Sequence, residues 1–201
     1  MDDIHPENHR FLGRAAKERL LGQTGIVLWL YGMSGSGKST IANEVERALH
    51  CAGRMTAILD GDNLRTGLNR GLGFSDEDRT ENIRRAAEVA RLFSEQGVIT
   101  LASFITPLRA HRELAAGIIG ADFHEVFVKA DYATCAARDP KGLYAKAHGG
   151  GISHFTGRDS GFEEPDGKAL VLDTAAHSVE ECATKLLAYL LSVTGGDDEG
   201  K

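Results

Sequence analysis

The chain has 201 residues, 42% of them apolar and 26% charged, which suits one globular domain with a sizeable core and excludes collagen-like, mucin-like and disordered classes. A formal net charge of −6 argues against a non-specific nucleic-acid binder, which needs a broad basic surface. The longest apolar run, Ile26 to Tyr31, falls far short of the roughly 20 residues that cross a membrane, and Met1-Asp2-Asp3-Ile4-His5 carries acid where a secretory leader carries base, so a cytoplasmic protein is expected.

Residues 1–24 read as an N-terminal extension. Ile26 to Tyr31, bounded by Gly25 and Gly32, is the continuous apolar run of a strand buried on both faces. Directly after it, Gly32-Met33-Ser34-Gly35-Ser36-Gly37-Lys38-Ser39 fits the phosphate-loop pattern G-x-x-x-x-G-K-[ST] and opens a helix over Lys38 to Cys51. Glycine lets the backbone turn tightly enough to aim several N–H groups at one anion, and the helix dipole adds to that field. Lys38 supplies a point charge to the β- and γ-phosphates, and the Ser39 hydroxyl is placed to ligate Mg²⁺.

A second strand is expected over Met55 to Asp60, followed by Gly61-Asp62-Asn63-Leu64-Arg65. Two carboxylates two residues apart at a strand end, Asp60 and Asp62, reach the cleft at the carboxyl ends of a parallel sheet. One can hold metal-bound water while the other accepts a proton from an attacking hydroxyl, the division of labour that phosphoryl transfer to an alcohol needs. The Asn-Lys-x-Asp that reads guanine in switch GTPases is absent. Beyond, Arg65, Arg70, Arg79, Arg84 and Arg85 concentrate base in an acidic chain. Ser75-x-x-Asp78 resembles a capping box at the start of a helix over Asp78 to Gln96, on which Arg79 and Asn82 share a face with the first amides. An anionic acceptor is expected there, with Arg84 and Arg85 equally readable as solvated helix charge.

Strands follow at Val98–Phe104, Glu125–Lys129 and Ala169–Asp173, with helices over Pro107 to Ile119 and, opened by Ser178-x-x-Glu181, through Val193. Strand and helix alternate, which predicts a single α/β domain with a parallel sheet and crossover helices. Residues 141–168 break the rhythm and read as a mobile lid or as plain disorder, the lid favoured because Phe155 and Phe162 are side chains that a solvated loop would not need. Residues 195–201 read as a disordered tail. Cys51, Cys135 and Cys182 suggest neither a disulfide framework nor a zinc site and are expected as buried thiols, and the eight histidines as surface or loop residues.

Several blocks, in one order and over about Gly25 to Thr174, resemble the adenylyl-sulfate (APS) kinase family of P-loop kinases. They are the loop Gly32 to Thr40, Asp60 to Arg65 leading to Gly67-Leu68-Asn69, Leu72-Gly73-Phe74-Ser75, and Asp78 to Arg85. Further on come Phe104-Ile105-Thr106-Pro107, Arg138 to Tyr144, Phe155-Thr156-Gly157 and Leu172-Asp173-Thr174. The resemblance implies a three-layer P-loop nucleoside-kinase-like fold, and transfer of the γ-phosphate of ATP to the 3′-hydroxyl of APS, giving PAPS, with Mg²⁺. It implies ATP contacts at Gly32, Ser34, Gly35, Ser36, Gly37, Lys38, Ser39 and Thr40, with Arg138 against the adenine, and Mg²⁺ on Ser39 and, through water, on Asp60. Asp62, with Asp60, would orient and deprotonate the hydroxyl. Arg65, Arg79 and Asn82 would bind the phosphosulfate, Phe74 and Phe155 would enclose the acceptor adenine, Lys141 would close over it, and Ile105 and Thr106 would complete the site. ATP and APS are the implied partners, with a homodimer and an ATP sulfurylase as functional partner compatible with it. The chain departs from the family at Thr106, where serine is usual, which keeps a hydroxyl and adds a stiff methyl. It departs again at Arg158 to Glu163, where the family has a Pro-Tyr-Glu-like turn. That change leaves open a relative acting on another anionic nucleotide conjugate; a non-catalytic nucleotide-binding subunit fits poorly, because Lys38, Ser39, Asp60 and Asp62 are all present.

Overall fold

A six-residue run in which every side chain is buried sits at the centre of the molecule and divides it into two faces. The computed structural model describes residue 7, residues 10–148 and residues 161–195. In chain order these hold α1 (Arg14–Leu21), β1 (Ile26–Tyr31), α2 (Lys38–Cys51), β2 (Thr56–Asp60), α3 (Gly61–Arg65), α4 (Asp76–Glu95) and β3 (Ile99–Phe104). They continue with α5 (Arg109–Ile119), β4 (Phe123–Lys129), α6 (Tyr132–Arg138), α7 (Leu143–His148), β5 (Leu170–Asp173) and α8 (Val179–Val193). Five strands form one parallel sheet in the order β2-β3-β1-β4-β5.

Alternation along β1 sends Ile26, Leu28 and Leu30 to one face, against Ile41, Val45 and Leu49 of α2 and Leu186 and Leu190 of α8. Val27, Trp29 and Tyr31 go to the other, against Ile83, Ala86 and Ala90 of α4 and Ala115 and Ile119 of α5. The result is the expected three-layer α/β domain. Because β1 has β3 on one side and β4 on the other, the chain crosses over in opposite directions from it, and the crevice this opens at the strands' carboxyl ends is where such folds bind ligands. No helix among the described residues is long and apolar enough to cross a membrane.

The expected strands and long helices all form, with ends moved by a residue or two. Leu108 takes extended dihedrals as the N-cap of α5, so that helix starts at Arg109 and not at Pro107. The box at Ser178 is complete, with Ser178 and Glu181 each serving the other's backbone. At Ser75 only half forms: the hydroxyl accepts from the Asp78 N–H, while the Asp78 carboxylate turns to the Gly73 N–H at 2.9 Å. Two expectations are corrected. Cys51 is exposed, since its helix face meets solvent, whereas Cys135 and Cys182 are buried. His111 is buried on the face of α5 that packs toward α4, so it is not a surface histidine.

Of residues 141–168, α7 packs Tyr144 and Ala147 against Cys135. At the other end Phe162 stacks on Tyr31 and Phe127, with centroids at 6.2 and 5.7 Å, and the Glu163 N–H donates to Pro107 O at 2.9 Å. Phe155, the stretch Arg158 to Ser160 and the tail beyond Gly195 lie outside the described residues.

Candidate active site

The turn from β1 into α2 requires glycine where the chain passes other backbone. A Cβ on Gly32, at φ 153°, would stand 2.3 Å from Val128 O, and one on Gly35, at φ 78°, would stand 3.0 Å from Cys135 O. The loop is pinned from outside by the Tyr144 hydroxyl, which donates to Ser34 O at 2.8 Å, and by Thr174 Oγ1, which donates to Ser36 O at 2.8 Å. Lys38 folds back so that its ammonium donates to Gly32 O and Met33 O, both at 2.8 Å. Burial pushes its pKa down to about 8, with the Asp60 and Asp62 carboxylates among the groups opposing the fall. A buried, under-neutralised ammonium held by two carbonyls is poised for a polyanion.

Asp60 ends β2 with both oxygens engaged. Oδ1 caps α3, accepting from the N–H groups of Asp62 (3.0 Å) and Asn63 (3.3 Å), and Oδ2 accepts from Ser39 Oγ at 2.7 Å. Ser39 Oγ also lies 3.2 Å from Ser103 Oγ at the end of β3. Three hard oxygens on one wall suit Mg²⁺, which takes one or two protein oxygens and completes its shell with water and phosphate. Asp62 is committed differently. Its exposed carboxylate carries the α3 face into the crevice and pairs with the exposed ammonium of Lys141.

The far half is built by the turn after α3 and by α4. Arg65 donates to Leu72 O and Gly73 O, both at 3.0 Å, and lies 4.4 Å from the centroid of the Phe74 ring; Arg79 donates to Phe74 O at 3.0 Å and lies 5.8 Å from the same centroid. Phe74 itself remains 60% exposed, an apolar plate with two cations beside it. Burial lowers the pKa of both arginines from its ordinary value, and repulsion from Arg65 lowers Arg79 further. Asn82 is buried beside them, its Oδ1 accepting from Asn69 Nδ2 at 2.9 Å. The first turn of α4 carries Asp76, Glu77 and Asp78, and Ser75 takes the Asp78 N–H, so side chains and not helix amides give this half its positive character. Arg84 and Arg85 pair with Glu81, 2.7 Å each, and with Arg70 stand away from the cavity.

The floor is the turn after β3. Thr106 sits in the left-handed region at φ 39°, a costly conformation for a β-branched side chain. Three contacts hold it there: Trp29 Nε1 donates to Thr106 Oγ1 at 3.1 Å, and the buried Arg112 guanidinium donates to Thr106 O and Pro107 O, each at 3.3 Å. The serine-to-threonine change therefore keeps a hydroxyl that is used as an acceptor. On the opposite wall Arg138 donates to Thr174 O (2.6 Å), Thr174 Oγ1 (3.0 Å) and Gly35 O (3.4 Å).

One cavity of about 700 Å³ joins these parts, lined by Ser34, Gly35, Gly37, Lys38, Ser39 and Thr40, by Asp60 and Asp62, and by Arg65, Phe74, Arg79 and Asn82. Ile105, Thr106, Arg138 and Lys141 complete the walls that the sequence named. Gly32 and Ser36 do not line it; Gly32 makes the turn, and Ser36 is buried with Oγ unpartnered beneath the loop. Sequence reasoning missed Ser103, His111, Tyr144, Thr174 and His177. Thr174 was legible, being the first residue beyond β5, the position that faces the crevice in such sheets.

A model of the adenylylsulphate kinase family matches residues 24–173 of this chain. An adenylyl-sulfate kinase of Phocaeicola vulgatus is 52% identical over 199 residues, 98% of each chain, and one of Bacillus licheniformis is 56% identical over 169 residues, 84% of this chain and 86% of that one. A solved structure of the Mycobacterium tuberculosis APS kinase in complex with AMPPNP and APS superposes with a TM-score of 0.81 at 46% identity, covering 85% of this chain and 99% of that one.

Proposed function

The chain belongs to the adenylylsulphate kinase family, and on that premise we propose that it transfers the γ-phosphoryl group of ATP to the 3′-hydroxyl of APS, giving PAPS and ADP. The observation that carries the reading is the polarity of this cavity. A buried lysine in a phosphate loop stands at one end and two desolvated arginines lie beside an exposed aromatic plate at the other, with Asp62 acting electrostatically on both Lys38 and Arg65.

In this reading the loop from Ser34 to Thr40 holds the ATP phosphates and Arg138 stacks on the ATP adenine, a contact that guanidinium suits. Arg65, Arg79 and Asn82 hold the phosphosulfate of the acceptor. Phe74 and Phe155 cover its adenine, with Ile105 and Thr106 below. The roles of the two aspartates divide by what already occupies them. Asp60 has both oxygens engaged, whereas Asp62 is held only by an exposed ion pair, worth about 0–1 kcal/mol, which an anionic acceptor can displace. Lys141 then moves to the acceptor, and Asp62 takes the 3′-hydroxyl proton as the O3′–Pγ bond forms and the bond from Pγ to the bridging β-γ oxygen breaks. Ser39 and Asp60 would hold Mg²⁺, which supplies charge neutralisation at the β- and γ-phosphate oxygens.

Residues 1–201 are proposed to act as one kinase domain, with 141–168 as the lid. A cytoplasmic setting, a homodimer and an ATP sulfurylase supplying APS belong to the same proposal. The test is to incubate the protein with Mg-ATP and APS or other anionic nucleotides, following ADP by a coupled assay and PAPS by anion-exchange chromatography. PAPS and ADP formed in equal amounts, with APS preferred, is the expected result. ADP release without PAPS, or equal turnover across the panel, would overturn the assignment.

A further inference from the structure

Asn82 borders the acceptor half of the cavity, and the orientation of its amide decides whether that wall attracts or repels an anion. An amide carries its oxygen and its NH₂ at opposite corners, so a donor fixed on the oxygen leaves the NH₂ to face elsewhere. Asn69 Nδ2 supplies that donor at 2.9 Å, and the NH₂ of Asn82 is the group left for the cavity. Asn69 does not line the cavity and is wholly buried. It sits on a turn stitched down by its own N–H to Leu64 O (2.8 Å), by the Leu72 N–H to Asn69 O (3.2 Å) and by the Arg85 guanidinium on Leu68 O (3.1 Å).

Asn69 Oδ1 is buried without a hydrogen-bond partner, an arrangement that packing alone does not favour. Turning both amides over would satisfy that oxygen, but it would leave the Asn69 NH₂ buried without an acceptor and aim the Asn82 oxygen at the anion site. We infer that Asn69 is a positioning residue that sets the polarity of Asn82, holding its NH₂ toward the anionic group of the acceptor. The inference rests on the acceptor reading above and deepens it.

Asn69→Asp is nearly isosteric, but a carboxylate only accepts, so it draws the Asn82 NH₂ to itself and turns the oxygen to the cavity. The KM for APS is expected to rise about 10- to 100-fold, with the KM for ATP within about twofold of wild type. Asn69→Leu, which removes the donor without adding charge, is expected to raise it about 3- to 10-fold and serves where a buried carboxylate prevents folding. Each substitution is repeated on Asn82→Ala, where neither is expected to raise the APS KM further. The inference is overturned if the same fold-rise persists without the Asn82 side chain, which makes Asn69 a packing residue, or if Asn82→Ala leaves the APS KM unchanged. Whether the wild-type protein forms PAPS at all judges the underlying reading separately.

Discussion

Arg112 offers a prediction whose size follows from its contacts. The guanidinium is buried on α5, where Nε pairs with Glu125 Oε1 at 2.9 Å, the Tyr31 ring lies 4.6 Å away, and Nη1 donates to Thr106 O and Pro107 O. Arg112→Met keeps the volume but leaves the Glu125 carboxylate without its partner and two carbonyls without a donor. Breaking a buried pair from one side costs about 3–5 kcal/mol, and because Glu125 keeps 22% of its side chain exposed the lower end, about 3 kcal/mol, is expected, roughly 6–12 °C of melting temperature for a chain of this size. Adding Glu125→Gln removes the stranded charge and is expected to recover more than half of the loss. Arg112→Lys keeps the charge, but one ammonium cannot serve the carboxylate and both carbonyls while lying flat on the ring, so about 1–3 kcal/mol is expected. That variant also releases the turn in which Thr106 is held at φ 39°, so the KM for APS should rise while that for ATP stays. Urea titrations with steady-state kinetics on the variants settle it. A loss under about 1 kcal/mol for Arg112→Met, or a double variant no more stable than the single, would refute the account.

Lys38 gives a pH prediction. Its pKa falls from 10.5 unfolded to about 8 in the folded chain, so between those values the unfolded state binds the extra proton and stability rises with pH; ATP restores the proton. Calorimetric heats of ATP binding at pH 9 should therefore depend on the buffer's ionisation enthalpy, and heats identical across buffers would contradict the buried ammonium. Asp62→Asn should lower kcat by orders of magnitude with little change in ATP affinity, whereas an unchanged kcat moves the base elsewhere. Arg65→Ala and Arg79→Ala should each weaken APS binding by about 1.5–3 kcal/mol and leave ATP binding nearly unchanged, as read by isothermal titration. Equal losses for both nucleotides would deny the two-ended cavity.

What the sequence shows and what it hides divide by range. The buried run Ile26 to Tyr31 and the loop after it are local signals, and they place β1, α2 and the turn between them correctly. The helix α1 escaped because it is only eight residues long and buries none of them fully; Arg14, reaching Asp122 at 2.6 Å and Gly25 O at 2.7 Å, holds it. The helices α3, α6 and α7 have five, seven and six residues, too few for a 3.6-residue period to register. The contacts that make the site are between residues far apart in the chain: Lys141 with Asp62, Thr174 with Ser36, Arg138 with Gly35. No spacing rule reaches across such separations, and the different contacts of the Asp60 and Asp62 carboxylates, one engaged at both oxygens and the other in an exposed ion pair, have no local sequence signal.

The two faces of the sheet differ in a way that bears on function. The face covered by α2 and α8 holds an apolar cluster. The face covered by α4 and α5 carries Asn69, Asn82, His111, Arg112 and the strained Thr106, and among its buried atoms Asn69 Oδ1, Thr100 Oγ1 and His111 Nδ1 have no hydrogen-bond partner. Each such atom costs about 1–3 kcal/mol relative to a satisfied one, and the positive φ adds about 1–3 kcal/mol. A domain of this size has about 5–15 kcal/mol of net stability, so these costs are not negligible beside it. They are compensated by the apolar packing on both faces of the sheet, the cluster under α2 and α8 included. Removing an unpartnered hydroxyl on the α4 and α5 side, as in Thr100→Val, should therefore stabilise the fold, whereas an apolar residue at Arg112 strands its partners and destabilises it. Substitutions that open cavities between α2 and α8 should lower the melting temperature while leaving the ratio of the two Michaelis constants where it was.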